Sequence, residues 1–105
     1  MTYCIINVTT ATKEDAEKIA TYLTENELAA CCNIIDNITS IYKWQNKLNK
    51  DKEVLMIIKT KTQLYPRVEE EIKRLHSYDI PEIICIPIIG GSKEYLNWIE
   101  EQTEG

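Results

Sequence analysis

Hydrophobic positions recur along the chain with two different periods, and each period predicts a different kind of element. Residues 3–9 are rich in β-branched side chains, which favours a strand. Apolar residues then recur at helical spacing, at Ala16, Ile19, Ala20 and Leu23. Thr12 precedes this stripe as a suitable N-cap, and acidic residues follow it in the first turn. The pattern predicts a strand and then an amphipathic helix that ends near Asn26.

The middle of the chain predicts a long hairpin. Residues 28–42 are extended in character, and residues 53–60 return as a second apolar strand. Asp36 and Asn37 interrupt the first strand, which indicates a bulge or a bend. The polar segment 45–52 predicts the turn between the two strands. We expect this hairpin to reach beyond the body of the domain.

The last third of the chain predicts a helix, a strand and a further helix. The first helix has an apolar stripe at Leu64, Val68, Ile72 and Leu75. Thr60 or Thr62 is its expected N-cap, and Pro66 falls in the first turns, where proline is tolerated. Residues 83–89 form the last apolar strand, and Ser92 is the expected cap of a short terminal helix.

The order of these elements predicts the fold class. It is β-α-β-β-α-β with an added terminal helix, which is typical of an α+β, ferredoxin-like sandwich. We expect one domain over residues 1–105, with two helices on one face of an antiparallel sheet of strand order 4-1-3-2. The last strand then lies at an edge of the sheet, where Pro87 is tolerated.

Two of the predicted strands are apolar on both faces. Residues 83–89 carry no polar side chain, and residues 54–58 carry none either. A sheet with one face in water should alternate apolar and polar residues. Two helices cover only one face, and the terminal helix is too short to cover the other. The simplest cover is another copy of the chain, so we expect a homo-oligomer.

Composition and charge exclude several classes of protein. The net charge of −5 argues against a nucleic-acid-binding protein, which needs a basic face. No apolar run is long enough for a transmembrane helix, and the first residues lack the features of a secretory signal. The four cysteines, Cys4, Cys31, Cys32 and Cys85, lack CxxC spacing and are expected to be reduced core residues. These observations favour a cytoplasmic protein without membrane or nucleic-acid partners.

The loop 76–82 concentrates the candidate chemistry. It holds the single histidine of the chain, His76, together with Tyr78, Asp79 and Glu82. Pro81 forces the residue before it into an extended conformation, so the helix must end before this point. Two interpretations stay open. His76 either ends a helix inside a polar loop, or it serves as a ligand or a base.

Several short blocks of sequence, in order, resemble one known family. They are Leu-Ala-Ala-Cys at 28–31, Asn-Ile at 33–34, Ser-Ile-Tyr-Lys-Trp at 40–44, Ile-Lys-Thr at 58–60, His-Ser-Tyr-Asp-Ile-Pro-Glu-Ile at 76–83 and Tyr-Leu-Asn-Trp at 95–98. The chain resembles the CutA family of divalent-cation tolerance proteins. The resemblance implies a ferredoxin-like homotrimer associated with tolerance of copper and other divalent ions.

The resemblance also implies a cleft between subunits that binds a ligand. Its expected lining is Tyr42, Trp44, Lys59, His76, Tyr78 and Glu82. A lysine and a histidine beside aromatic rings would suit a small anion with an apolar part. The architecture of the family resembles the PII nitrogen regulators, so a PII-like signalling protein that binds a small molecule and a partner protein is the alternative function.

Two departures from the family pattern bear on these implications. Many members have glycine in the hairpin turn, where this chain has Asn46, a residue that tolerates positive φ. Some members bind copper at three positions that are occupied here by Val8, Leu75 and Glu82. Only His76 and Glu82 remain as candidate ligands for Cu²⁺ or another divalent cation. No catalytic motif pairs a Ser or Cys nucleophile with His76, so binding is favoured over catalysis.

Overall fold

The computed structural model describes residues 2–104 of the chain. Its elements are β1 (Tyr3–Thr10), α1 (Lys13–Glu25), β2 (Cys31–Trp44), β3 (Lys47–Lys61), α2 (Tyr65–Leu75), β4 (Ile83–Ile88) and α3 (Lys93–Gln102). A single 3₁₀ turn, Thr62–Leu64, joins β3 to α2. No helix among residues 2–104 is long and apolar enough to cross a membrane.

The four strands form one antiparallel sheet in the order β2-β3-β1-β4. Ile6, in the middle of β1, lies opposite Ile58 of β3 on one side and Cys85 of β4 on the other. This order is the predicted 4-1-3-2 arrangement, so the ferredoxin-like fold class is confirmed. Pro87 lies in β4, at the edge of the sheet, where its missing N–H leaves no gap in an interior ladder.

Helix ends follow local chemistry in two of the three helices. Thr12 caps α1, because its side chain accepts a hydrogen bond from the Asp15 N–H, and Ser92 caps α3 in the same way. The expected cap of α2 was wrong, since neither Thr60 nor Thr62 caps it. The 3₁₀ turn intervenes, and the hydroxyl of Thr60 donates instead to the Leu28 carbonyl at 2.7 Å.

The hairpin of β2 and β3 is longer than the sequence indicated. The predicted turn over residues 45–52 was wrong, because β3 begins at Lys47 and only Gln45 and Asn46 form the turn. Both have positive φ, 50° and 63°, as a type I′ turn requires. The predicted bulge is confirmed, since the pairing register shifts between Ile35 and Ile38.

The hydrophobic core lies between the sheet and helices α1 and α2. Alternate residues of β1 and β3 point into it and are fully buried, as Ile6 and Ile58 are. Helix α1 contributes Ile19 and Leu23, and α2 contributes Ile72. These apolar contacts hold the positions of the hairpin and of the loop that follows α2.

The opposite face of the sheet, here called the open face, is covered only at one end. Helix α3 lies at that end, where the buried Lys61 pairs with Glu100 at 3.1 Å. Further along, the isoleucines Ile35, Ile84 and Ile86 leave 41–51% of their surface exposed. The open face therefore has an apolar middle with no cover within residues 2–104 of this chain.

Candidate functional site

A pocket of about 550 Å³ lies at the hairpin end of the open face. Three parts of the chain form its walls: the end of β1, the outer half of the hairpin and the loop before β4. The lining residues are Thr9, Ser40, Ile41, Tyr42, Trp44, Glu53, Tyr78, Asp79, Ile80 and Glu82. Four of the six expected ligand-binding residues, Tyr42, Trp44, Tyr78 and Glu82, therefore meet within one chain.

His76 stands behind this pocket and fixes the loop. It ends α2, with its N–H donating to the Ile72 carbonyl at 2.8 Å. Its Nδ1 accepts from the Tyr78 N–H at 3.0 Å, so the ring proton lies on Nε2, which donates to the Thr9 carbonyl at 2.7 Å. Both ring nitrogens are thus engaged within the chain. A metal ion at His76 would have to replace one of these hydrogen bonds.

Tyr78 joins the loop to the hairpin. Its hydroxyl donates to the Glu53 carboxylate at 2.7 Å, and its ring packs against the His76 ring with centroids 4.8 Å apart. Burial, the hydrogen bond to Glu53 and the negative charge of Glu53 raise the pKa of the Tyr78 phenol. Tyr78 therefore stays a protonated donor and holds β3 and the loop at a fixed separation.

The outer hairpin supplies the aromatic wall. The hydroxyl of Tyr42 donates to Asp51 across the hairpin, and this hydrogen bond is the main cause that raises the pKa of Tyr42. Trp44 lies next along the same strand, two residues further and therefore on the same face. Both rings are partly exposed, which leaves them able to contact a ligand.

The electrostatic character of the pocket is negative. Glu53, Asp79 and Glu82 line it, and no Lys, Arg or His is found among its lining residues within 2–104. Partial loss of water around Glu82 and the nearby charge of Glu53 raise the pKa of the Glu82 carboxyl. Negative charge therefore accumulates here without a neutralising partner, so the pocket favours a cation.

Lys59 lies apart from this group. Its ammonium donates to the Asn33 side chain, on a part of the open face toward α3. It lies six positions along β3 from Glu53, which corresponds to about 20 Å along a strand. One chain thus does not bring Lys59 to the pocket, and the expected anion site with Lys59 beside His76 is not formed within it.

The sequence did not identify Glu53 as a site residue. Its only local signal is a carboxylate at the start of an apolar stretch, which is common on surfaces. Its place in the pocket follows from the register that sets it opposite Ile38 and from the hydrogen bond with Tyr78, 25 residues further along the chain. Neither is visible without the tertiary fold.

Metal-ligating side chains are sparse. Within residues 2–104, no three His, Cys, Asp or Glu side chains lie close enough together to hold a metal ion. Val8 is fully buried in the core and Leu75 packs against it. All four cysteines are free thiols, and Cys4 is buried while the other three are half-buried. Burial raises the pKa of the Cys32 thiol to about 11, which makes it a poor thiolate ligand.

Comparison with known proteins identifies the family. The model of the CutA1 divalent ion tolerance protein family matches residues 4–102. The chain belongs to this family. The divalent-cation tolerance protein CutA of Thermus thermophilus is 43% identical over 99 residues, which cover 94% of this chain and 96% of that protein. The family is named for tolerance of divalent ions and not for a reaction.

Other relatives and solved structures agree with this membership. Mouse protein CutA is 42% identical over 97 residues, which cover 92% of this chain but 55% of the mouse protein, so the chain spans about half of that relative. The T. thermophilus CutA1 structure gives a TM-score of 0.95 at 42% identity, over 97% of this chain and 99% of that one. CutA1 from Oryza sativa gives 0.96 at 38% identity, over 99% and 95%.

Proposed function

We propose that this protein is a homotrimeric, cytoplasmic binding protein that contributes to tolerance of divalent cations, copper among them, without catalysing a reaction. Membership of the CutA1 family supports the link to divalent ions. The observation that carries the proposal is the pair of carboxylates Glu53 and Glu82, whose mutual repulsion contributes to the raised pKa of Glu82. A dication between them relieves this repulsion.

The trimer supplies what one chain lacks. Two carboxylates give an incomplete shell, because metal affinity depends on the number and geometry of the ligands. The apolar middle of the open face adjoins the pocket, so a neighbouring chain that covers it comes close to Glu53 and Glu82. We propose that the cleft formed in this way completes the ligand set. Lys59, on the same face, belongs to the boundary of that cleft.

His76 is a conditional ligand in this proposal. Copper(II) favours imidazole, whereas carboxylates alone suit harder ions such as Mg²⁺ and Mn²⁺. Copper must therefore draw His76 away from Thr9 or Tyr78 to gain an imidazole nitrogen. We expect the cost of those hydrogen bonds to keep copper affinity weak, on the order of micromolar.

Titration calorimetry with Cu²⁺ tests the proposal. Glu82→Gln should weaken binding by at least about tenfold, because a charged ligand is lost. His76→Ala should weaken it less, and Glu70→Gln on the exposed face of α2 is the matched control that should leave it unchanged. Equal copper affinity in wild type and Glu82→Gln would show that the metal site lies elsewhere. Nanomolar affinity in wild type would contradict the incomplete ligand shell.

The cytoplasmic location rests on the thiols. Four free cysteines are typical of a reducing compartment. The homologous protein of Archaeoglobus fulgidus is described as periplasmic and that of Arabidopsis thaliana as chloroplastic, so location differs among relatives. Fractionation of the native cells, followed by detection with an antibody, should place this protein in the soluble cytoplasmic fraction.

The size of the pocket favours a second function, that of a PII-like regulator that binds a small molecule and signals to a partner protein. About 550 Å³ exceeds what a single ion needs and falls within the range of small-molecule sites. The aromatic rings of Tyr42 and Trp44 have no role in holding an inorganic ion. Native mass spectrometry of protein purified from its own cell should show a retained organic ligand under this alternative.

A further inference from the structure

We propose that the pocket at the hairpin end of the open face binds a small organic ammonium ion with an apolar body. This inference deepens the second of the two functions above, small-ligand binding, and does not depend on the metal site. It is carried by three features that occur together: an open pocket of about 550 Å³, aromatic rings and unneutralised carboxylates.

Aromatic rings come to the pocket from both the outer hairpin and the loop before β4. Tyr42, Trp44 and Tyr78 all line it. The two phenol hydroxyls are already used, since Tyr42 donates to Asp51 and Tyr78 donates to Glu53. These hydrogen bonds hold the rings in place and leave to a ligand the ring surfaces of Tyr42 and the part of Tyr78 that does not pack against His76. Such surfaces contact an apolar body, and aromatic faces also attract a cation placed over them.

The carboxylates come to the pocket from β3 and from the loop before β4. Glu53 is engaged on one side by Tyr78 and retains further acceptor positions. Within residues 2–104, Glu82 and Asp79 receive no hydrogen bond and no ion pair from another side chain. A primary ammonium group has three donors and so can serve more than one carboxylate at once. An anion in the same place would meet three carboxylates and would be repelled.

The combination selects an organic cation over simpler occupants. A bare metal ion would leave most of the 550 Å³ and all of the aromatic wall unused. A neutral apolar molecule would leave the carboxylate charges without partners and would displace their water. An ammonium ion with an apolar body satisfies both kinds of group, because its charged end neutralises the carboxylates and its body covers the rings.

A set of three probes with the same phenylethyl body tests this inference on the intact protein. 2-Phenylethylammonium, 2-phenylethanol and 3-phenylpropanoate share an aromatic body and differ in charge. Calorimetric titration should give saturable binding of the ammonium probe, binding of the alcohol at least about tenfold weaker, and no binding of the carboxylate. Equal binding of ammonium and alcohol, or preference for the carboxylate, would overturn the inference.

Matched variants locate the binding. Glu82→Gln should reduce ammonium affinity to the level of the alcohol, and Glu70→Gln on α2 should leave it unchanged. Trp44→Leu should weaken ammonium and alcohol alike, because it removes the shared aromatic contact. Glu82 is exposed, so its variant is expected to remain folded, which circular dichroism verifies. An unaltered ammonium affinity in Glu82→Gln would overturn the assignment to this pocket.

A copper titration of the same samples separates this inference from the proposed function. Copper binding that depends on Glu82, without any ammonium binding, would overturn the organic ligand and leave the divalent-cation proposal standing. Ammonium binding without copper binding would overturn the divalent-cation proposal and leave the organic ligand standing. Competition between the two ligands is expected if both hold, because Glu53 and Glu82 serve each of them.

Discussion

Single side chains connect distant parts of this chain at the pocket. His76 donates to Thr9, 67 residues away, and Tyr78 donates to Glu53, 25 residues away. The two contacts join the loop after α2 to both β1 and β3. An alanine at either position would release one of these connections, so the pocket depends on each residue separately.

Glu82 gives a pH-dependent prediction. Its pKa is raised in the folded state by loss of water and by Glu53. The folded protein therefore holds the Glu82 proton more tightly than the unfolded chain does. The stabilisation that this proton contributes is fully present below the pKa that Glu82 has in the unfolded chain. It is lost as pH rises through the pKa that Glu82 has in the folded protein. Ionised Glu82 should thus lower the free energy of unfolding at neutral pH.

Urea unfolding of wild type and Glu82→Gln, between pH 4 and pH 7 at one protein concentration, measures this effect. The free energy of unfolding of Glu82→Gln should increase relative to that of wild type as pH rises. Glu70→Gln controls for the general effect of removing one negative charge from an acidic chain. A free energy of unfolding of Glu82→Gln that falls relative to that of wild type as pH rises would contradict the assigned direction.

Four of the ten residues that line the pocket were expected as ligand-binding residues, but their partners were not. His76, Tyr78 and Glu82 stand close together in one loop, so their concentration was visible in the sequence. Glu53 and Thr9 were not, because only the pairing register and the packing of the loop against β1 bring them there. Lys59 was assigned by resemblance, and its distance from the pocket depends on strand geometry alone.

At the scale of elements, local chemistry decided which predictions succeeded. The ends of α1 and α3 were predicted because a capping side chain is a local signal. The extent of the outer hairpin was not predicted, because its strands are polar and exposed and no core imposes an alternating pattern on them. Gln45 and Asn46 form a type I′ turn without the Asn-Gly signature of such turns.

The hairpin also gives a prediction about assembly. Ile41 is 65% exposed in the chain and Leu48, near the turn, is 79% exposed. Ile41→Asp should therefore change the stability of an isolated chain by no more than about 0.5 kcal/mol. If the hairpin packs against a neighbouring subunit, the buried charge should weaken the trimer strongly. Sedimentation velocity on Ile41→Asp, with Leu48→Asp as the matched control, measures the difference. A trimer of Ile41→Asp as stable as that of wild type would place Ile41 outside the interface.

At the scale of the whole molecule, the sheet has one covered face and one open face. α1 and α2 bury the first, and α3 covers only an end of the second. The apolar character of β4 on both sides was visible in the sequence, and it required a cover that the single chain does not provide. Its isoleucines Ile84 and Ile86 are half-exposed beside an edge that has unpaired backbone groups.

The trimer is the prediction that belongs to this scale. Light scattering coupled to size exclusion should give about three times 12.2 kDa, even in dilute solution, as expected for large apolar interfaces between obligate partners.

Ile84→Asp should dissociate the assembly, because it buries a charge in the apolar middle of the open face. Ile89→Asp is the matched control, since Ile89 is fully exposed beyond the end of β4. Circular dichroism should find both variants folded, because Ile84 points away from the core between the sheet and the helices. A wild-type monomer at micromolar concentration would contradict the trimer, and the half-exposed isoleucines would then need another partner to cover them.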